Sequence, residues 1–144
     1  MKRGLSKMEI SGCRVLVIDK NRHVRSFLQR ELLRDGHEVQ AVSDDGFVGA
    51  GKRVDYDIVV VDPELLHGRM WSSFEILHKH NPHMIVILHS IDLTPDTLYA
   101  TIPPGWDDRI VVVEKGNMIA LREAILSCAE RCCGSMKRGG DDEE

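Results

Sequence analysis

The sequence predicts an α/β domain, with a five-stranded parallel sheet and helices on both faces of that sheet. Short apolar runs of strand length alternate with segments whose apolar residues recur at three-and-four spacing. Alternation of this kind favours parallel strands joined by crossover helices. The 144 residues are enough for one such domain with its own core, and too few for two.

Each element has its own local signal. The strands are short runs rich in Val, Ile and Leu, and they are predicted at residues 14–18, 39–42, 58–61, 84–88 and 110–113. The first helix follows Asn21, a good N-cap residue, and is closed by Gly36. A short second helix starts from Ser43 and runs towards Lys52 despite its glycines.

The later helices are marked by apolar periodicity and stopped by proline. Trp71, Phe74 and Leu77 lie at i, i+3 and i+6 of the third helix, and apolar residues outline a last helix over 118–128. A fourth helix before residue 103 should be short or irregular, because Pro103-Pro104-Gly105 ends it. We assign residues 1–12 to an N-terminal extension, 13–133 to the domain and 134–144 to a disordered acidic tail.

Composition narrows the choice of partners. The net charge of −4 argues against a nucleic-acid-binding surface, so small-molecule or protein partners are favoured. No apolar run is long enough for a membrane span or a secretory signal, and a cytoplasmic location is therefore expected. Cys128, Cys132 and Cys133 lack the CxxC spacing and nearby histidines of a zinc site, so we expect ordinary thiols whose role stays open.

Two acids stand at the carboxyl ends of apolar strands. Asp19 follows the first strand and Asp62 follows the third, so both are expected at the edge where open parallel sheets bind ligands. Two such acids can share a divalent cation, or one can act as a nucleophile towards phosphorus. The competing interpretation is that either acid simply caps the segment that follows it.

Two other motifs compete for a function. Gly46 to Arg53 matches the phosphate-binding G-x-x-x-x-G-K spacing, but Arg53 replaces the required Ser or Thr. The four residues between Arg53 and the third strand also leave no room for the helix that must follow such a loop. A nucleotide-binding enzyme therefore stays a distant alternative. His78, His80 and His83 form the second motif and could bind a metal weakly. Their presence is explained equally well if they are simply polar residues on the protein surface.

Over residues 13–131 the chain resembles the receiver domain of two-component response regulators, a flavodoxin-like three-layer fold. Asp19 and Lys20 stand where that family has an acidic pair, and Asp62 stands at its phosphoryl-accepting aspartate. Ser90, or less well His89, falls at the hydroxyl position, and Lys115 at the invariant lysine. The steps of 42 residues from Lys20 to Asp62 and 28 from Asp62 to Ser90 suit the family.

The resemblance implies phosphoryl transfer from a histidine kinase to Asp62. Mg²⁺ would be held by Asp19 and Asp62, with Glu64 as a further ligand, while Lys115 and Ser90 contact the phosphoryl oxygens. Lys20, however, replaces an acid that should touch the metal. We therefore expect Lys20 to repel Mg²⁺ and to pair with Asp62, which makes Mg²⁺ binding doubtful.

Further departures lie around the site. Residues 63–68 share little with the family's loop after the acceptor, and Val112 and Gly116 replace its aromatic switch residue and its proline. The first hypothesis is a stand-alone, non-enzymatic response regulator phosphorylated at Asp62. The alternative is a phosphorylation-independent pseudo-receiver that binds other proteins. Either would act through a histidine kinase or another signalling protein, or as a homodimer.

Overall fold

The structure is a computed structural model that describes residues 12–91 and 102–142, with side chains in the second range as far as Glu130. The strands are β1 (Arg14–Ile18), β2 (Glu38–Val42), β3 (Ile58–Val61), β4 (Ile85–Ser90) and β5 (Ile110–Glu114). The α-helices are α1 (Arg22–Arg34), α2 (Gly68–His80) and α3 (Met118–Asp142). Short 3-10 turns cover Pro63–Leu65 and Asp107–Arg109.

All five strands join one parallel sheet in the order β2-β1-β3-β4-β5. The second strand of the sheet, β1, pairs with both β2 and β3, so that Val15 lies between Val39 and Ile58. The order reverses at β1, and the carboxyl ends of β1 and β3 flank the crevice where such sheets bind ligands. The predicted fold class is confirmed.

Helices cover both faces of the sheet. On one face, Leu28 and Leu32 of α1 and Leu121 and Ile125 of α3 pack against alternate strand residues such as Val60. On the other face, α2 packs with the remaining strand residues in an aromatic layer made by Phe47, Trp71, Phe74 and Trp106. Both tryptophans are buried there, which gives them a packing role.

The segment between β2 and β3 corrects one expectation. A short helix was predicted from Ser43 towards Lys52, but residues 43–57 form turns and extended chain with no helix. Gly49 and Gly51 adopt φ values of +141° and +78°, which a right-handed helix cannot contain. Phe47 still buries its ring against Phe74, so the segment covers part of the core without a helix.

The amino-terminal ends of the strands are tied together by Asp57. Its buried carboxylate accepts hydrogen bonds from the Arg14 main-chain N–H (2.9 Å) and from the Arg14 guanidinium (2.9 and 3.1 Å). The Asn81 amide donates to it at 3.0 Å and also to the carbonyl of Tyr56. Asp57 is therefore a structural acid, at the opposite end of β3 from Asp62.

Element boundaries differ from expectation by a few residues. β4 begins at Ile85 and continues through Ser90, and α3 runs through Asp142 into the segment 134–144 that was expected to be disordered. The predicted fourth helix falls largely on residues 92–101, which lie outside the described residues. The division into extension, domain and tail stays a prediction. Across the described residues, no helix is both long and apolar enough to cross a membrane.

Candidate functional site

Three charged residues directly follow the ends of three strands of the sheet. Asp19 follows β1, Asp62 follows β3 and Lys115 follows β5. Main-chain hydrogen bonds extend the sheet to them: Asp62 N–H donates to the carbonyl of Ile18 at 3.1 Å, and Lys115 N–H to that of Ser90 at 2.8 Å. The strands thus hold the three side chains at one edge of the sheet.

The ammonium of Lys115 bridges the two carboxylates. Lys115 Nζ donates a hydrogen bond to Asp62 Oδ2 at 2.6 Å, and it lies 2.9 Å from Asp19 Oδ2, at an angle outside that of a hydrogen bond. Burial acts to lower the pKa of Lys115, but the contacts with Asp19 and Asp62 outweigh it and leave the pKa raised. Lys115 therefore stays charged at neutral pH.

The remaining carboxylate oxygens accept main-chain hydrogen bonds. Asp19 Oδ1 accepts from the N–H of Asn21, and Asp62 Oδ1 from the N–H of Glu64, both at 2.8 Å. Asp62 is the N-cap of the 3-10 turn Pro63–Leu65. One of its two carboxylate oxygens therefore has the capping role, and the other faces Lys115. All four carboxylate oxygens thus have a donor or a cation beside them.

Lys20 does not join this cluster. Its side chain is exposed, and among the described residues the ammonium that pairs with Asp62 is that of Lys115. The expected Lys20–Asp62 pair is therefore not formed, because Lys115 approaches both acids from its own strand end. Arg25 fixes the loop, since its guanidinium donates to the carbonyls of Asp19 and Lys20 at 2.8 and 3.0 Å.

The register of β4 decides which of its last residues adjoins Asp62. Val60 pairs with Ile87, and continuing the register places His89 opposite Asp62, on the sheet face shared with α1 and α3. Strand alternation places Ser90 on the opposite face. His89 is 4% exposed, and burial, followed by the positive charge of Lys115, lowers its pKa. The neutral imidazole of His89 thus adjoins the acids.

The residues present do not suit Mg²⁺. Glu64 is exposed and reaches Asp62 through its main-chain N–H, Lys20 brings a cation to the loop, and Lys115 already neutralises much of the carboxylate charge. A divalent cation would have to compete with that ammonium for both acids. Within the described part of the chain, no three His, Cys, Asp or Glu side chains are placed to hold a metal ion.

The competing motifs take other roles. Residues 46–53 form a loop, and the chain runs on through 52–57 without a helix before β3, so the phosphate-binding geometry is not built. The ring of His78 packs against Trp106, and Nδ1 of His80 is hydrogen-bonded to the carbonyl of Ile76. Both histidines thus make contacts within or beside α2.

Two features of the site were missed from the sequence. Arg25 was not among the predicted site residues, and His89 was ranked below Ser90. The alternation of Ile85 and Ile87 carried the signal for His89, since counting in twos along β4 places it on the same face.

Several solved structures share this fold. A response regulator receiver protein from Sinorhizobium medicae has 18% sequence identity and a TM-score of 0.60, covering 82% of this chain and 94% of its own. The response regulator TrrA from Thermotoga maritima, in complex with Mg²⁺–BeF, has 22% identity and a TM-score of 0.59, covering 81% and 98%. A signal receiver domain of an HD domain-containing protein from Pseudomonas fluorescens has 18% identity and a TM-score of 0.65, covering 88% and 93%.

The sequence comparisons find no match, whereas the structure comparisons find many. No protein-family model matches the chain, and no curated protein matches it in sequence. At these identities the structural likeness shows the fold alone, and many of the similar structures are receiver domains of response regulators. The chain therefore has the fold of a response regulator receiver domain.

Proposed function

We propose that the protein is a receiver-fold signalling module that acts by binding another protein, without phosphoryl transfer to Asp62. The observation that carries this proposal is that Lys20 stands in place of the acid that would hold a metal, next to two acids that Lys115 already bridges. The module would be a cytoplasmic, non-enzymatic component of two-component signalling, with a kinase, another signalling protein or a second copy as its partner.

Charge balance supports this choice. An aspartyl phosphate would replace the single negative charge of the Asp62 carboxylate by nearly two negative charges beside Asp19, in a site where the nearby cation is Lys115. Stabilising the transferring phosphoryl group needs cations fixed around its oxygens. Lys20 is exposed, and its ammonium is carried on a flexible side chain. It therefore does not replace a metal ion that is fixed beside the phosphoryl oxygens.

The second candidate function is phosphorylation of Asp62 as a switch. Its support is the position of Asp62, which is 16% exposed at the sheet edge and hydrogen-bonded to Lys115. In that case Lys115 would contact a phosphoryl oxygen, and His89 would stand beside the acceptor where the family has a hydroxyl. The proposed Ser90 contact would require its side chain to reach round the strand.

The two candidates are separated by a phosphorylation assay. The wild-type protein and its Asp62→Asn and Lys20→Asp variants are incubated with Mg²⁺ and acetyl phosphate, quenched in acid and weighed by mass spectrometry. We expect no added phosphoryl mass on wild type, because the site lacks a metal-holding acid. Lys20→Asp should gain that mass, since it restores the acid.

The double variant Lys20→Asp/Asp62→Asn is the matched control, and it should lose any mass gained through Asp62. Phosphoryl uptake by wild type that disappears in Asp62→Asn would overturn the proposal and establish the switch. Uptake that persists in Asp62→Asn would indicate modification elsewhere and leave the proposal standing.

A further inference from the structure

The strand β2 forms one edge of the sheet, and one side of its main chain is unpaired. Glu38 and Val42 are hydrogen-bonded to β1 through their main-chain groups. Because main-chain groups alternate in direction along a strand, those of Val39 and Ala41 point away from β1. Among the described residues, no strand lies beside β2 on that side. Two N–H donors and two carbonyl acceptors are therefore available to another strand.

The edge at β2 carries few of the features that keep sheet edges from pairing. Natural edges are protected by charged side chains, by proline or by a covering helix. β2 has a single charged residue, Glu38, and Arg53 neutralises it at 2.7 Å. The connection that follows, residues 43–57, contains no helix. The three apolar side chains of β2 are also only half-buried, so pairing along this edge would cover apolar surface as well.

The helix next to this edge adds an exposed apolar side chain. Arg122 of α3 pairs with Glu31 and Asp35, which identifies the side of α1 that faces α3. Leu33 is two residues from each of these acids, and at about 100° per residue it lies on the opposite side of α1. α1 contacts β2 and α3 contacts β5, so the side of α1 away from α3 is the side of the β2 edge. Leu33 is 51% exposed there.

We propose that two copies of the chain associate through their β2 strands, which run antiparallel about a two-fold axis and form one continuous sheet of ten strands. A second copy fits because the register is self-complementary. With Gln40 opposite Gln40 of the second copy, Val39 of each copy lies opposite Ala41 of the other, and every outward main-chain group is hydrogen-bonded. Glu38 then lies opposite Val42, so no like charges face each other.

This pairing deepens the proposed function, on which it rests for protein binding as the activity of the module. It names a second copy of the chain as the partner. Neither Asp62 nor Lys115 lies in the pairing strands, so the oligomeric state and phosphoryl uptake are separate measurements. The two α1 helices lie on the same face of the continuous sheet, where each Leu33 is covered by the other copy.

Sedimentation of the full-length protein over the micromolar range tests the pairing. We expect wild type to pass from monomer to dimer as its concentration rises. Ala41→Pro removes an outward N–H without breaking a hydrogen bond to β1, and it should weaken dimerisation roughly tenfold or more. The matched control is Glu114→Pro, at an exposed position of the opposite edge strand β5 whose N–H also points away from the sheet. It should leave dimerisation unchanged.

Disulfide cross-linking tests the register. Gln40→Cys places two thiols at the two-fold axis, with their Cα atoms about 4.5 Å apart and within reach of a disulfide. Glu38→Cys, exposed on the same face of β2, is the matched control, because its two copies would be about 14 Å apart along the strands. With diamide as the oxidant, Gln40→Cys should form a covalent dimer. Glu38→Cys should form no more than wild type, which carries the native cysteines.

Three sedimentation results would overturn the pairing: a wild type that stays monomeric throughout, a dimer unchanged in folded Ala41→Pro, or equal weakening in folded Glu114→Pro. If Ala41→Pro does not fold, the cysteine variants decide, and equal cross-linking of Glu38→Cys and Gln40→Cys would contradict the register. A monomeric wild type without phosphoryl uptake would remove the pairing and leave the proposed function. Uptake at Asp62 by a dimeric wild type would do the reverse.

Discussion

Lys115 provides the positive charge that compensates the buried Asp19 and the half-buried Asp62. The Asp19 side chain is 3% exposed, and among the described residues the ammonium of Lys115 is the cation within ion-pair distance of it. Removing one partner of a buried ion pair leaves the other charge uncompensated in the interior. The resulting loss of stability is much larger than the stability that the intact pair provides relative to apolar residues of similar size. Lys115 therefore supports the folded state as well as any chemistry of Asp62.

Lys115→Met should lower the free energy of unfolding by about 3 kcal/mol, because it leaves two carboxylates together without a counter-ion. Urea unfolding at neutral pH measures this change. The matched control is Lys52→Met, at an exposed loop lysine, which should change the free energy by less than about 0.5 kcal/mol. Equal effects of the two variants would show that the bridge does not stabilise the protein.

His89 should make the folded state sensitive to mild acid. Its folded-state pKa lies below its ordinary value, so the unfolded chain binds the proton more tightly. The stability it provides is complete above about pH 6.5 and falls as the pH drops below that value. His89→Gln should flatten the decline in the free energy of unfolding between about pH 7 and 5.5.

His37 acts in the same direction, since burial also lowers its pKa and its Nδ1 accepts a hydrogen bond from the N–H of Cys13. His89→Gln and His37→Gln should therefore each remove part of the decline in the free energy of unfolding, and the double variant should remove more of it. An unchanged pH dependence in His89→Gln would contradict the buried, neutral state assigned to His89.

At the scale of elements, the positions of the strands could be predicted from the sequence, but the structure of the β2–β3 connection could not. Runs such as Ile58–Val61 are uniformly apolar and buried on both faces, so their positions were predicted closely. The connection after Ser43 combines capping residues with glycines, and the glycine conformations decide against a helix. In the site, Asp19, Asp62 and Lys115 could be predicted as the residues that follow strand ends, but choosing His89 over Ser90 needs the register between β3 and β4.

Gly51→Ala should destabilise the protein by about 1 kcal/mol, because residue 51 lies at φ +78° and an added Cβ makes that conformation unfavourable. Its Cβ would meet no other atom within 4 Å, so any effect comes from the backbone conformation. Gly68→Ala, at the start of α2 and also without steric conflict, is the control and should be neutral or stabilising. Thermal unfolding compares the two. A neutral Gly51→Ala would argue against this turn.

Asp57 joins the start of β3 to β1 and to the turn before β4. Asp57→Ala should cost about 2 to 3 kcal/mol, because it leaves the Arg14 main-chain N–H and the Asn81 amide without their acceptor. Asp62→Ala, the matched change at the other end of β3, should cost less, since Asp62 is more exposed and Lys115 retains Asp19. Chemical denaturation measures both; a larger loss at Asp62 would reverse the roles assigned to these two acids.

At the scale of the whole molecule, the receiver fold is kept while the charge of its site is balanced from within. The sheet order and the helices on both faces match the fold of receiver domains, and Lys115 bridges Asp19 and Asp62 at one edge of the sheet. Lys20 and the engaged carboxylate oxygens do not fit a magnesium site. The protein thus combines the receiver fold with a charged site that is balanced from within.

The most direct measurement is a Mg²⁺ titration of the wild-type protein and of Lys20→Asp, followed by amide chemical shifts around Asp19 and Asp62. Wild type should show no saturable shifts at these residues through millimolar Mg²⁺, because Lys115 pairs with both carboxylates and Lys20 adds a second cation to the loop after Asp19. Lys20→Asp should show saturable shifts there. Saturable Mg²⁺ binding by wild type at Asp19 and Asp62 would contradict the internally balanced site.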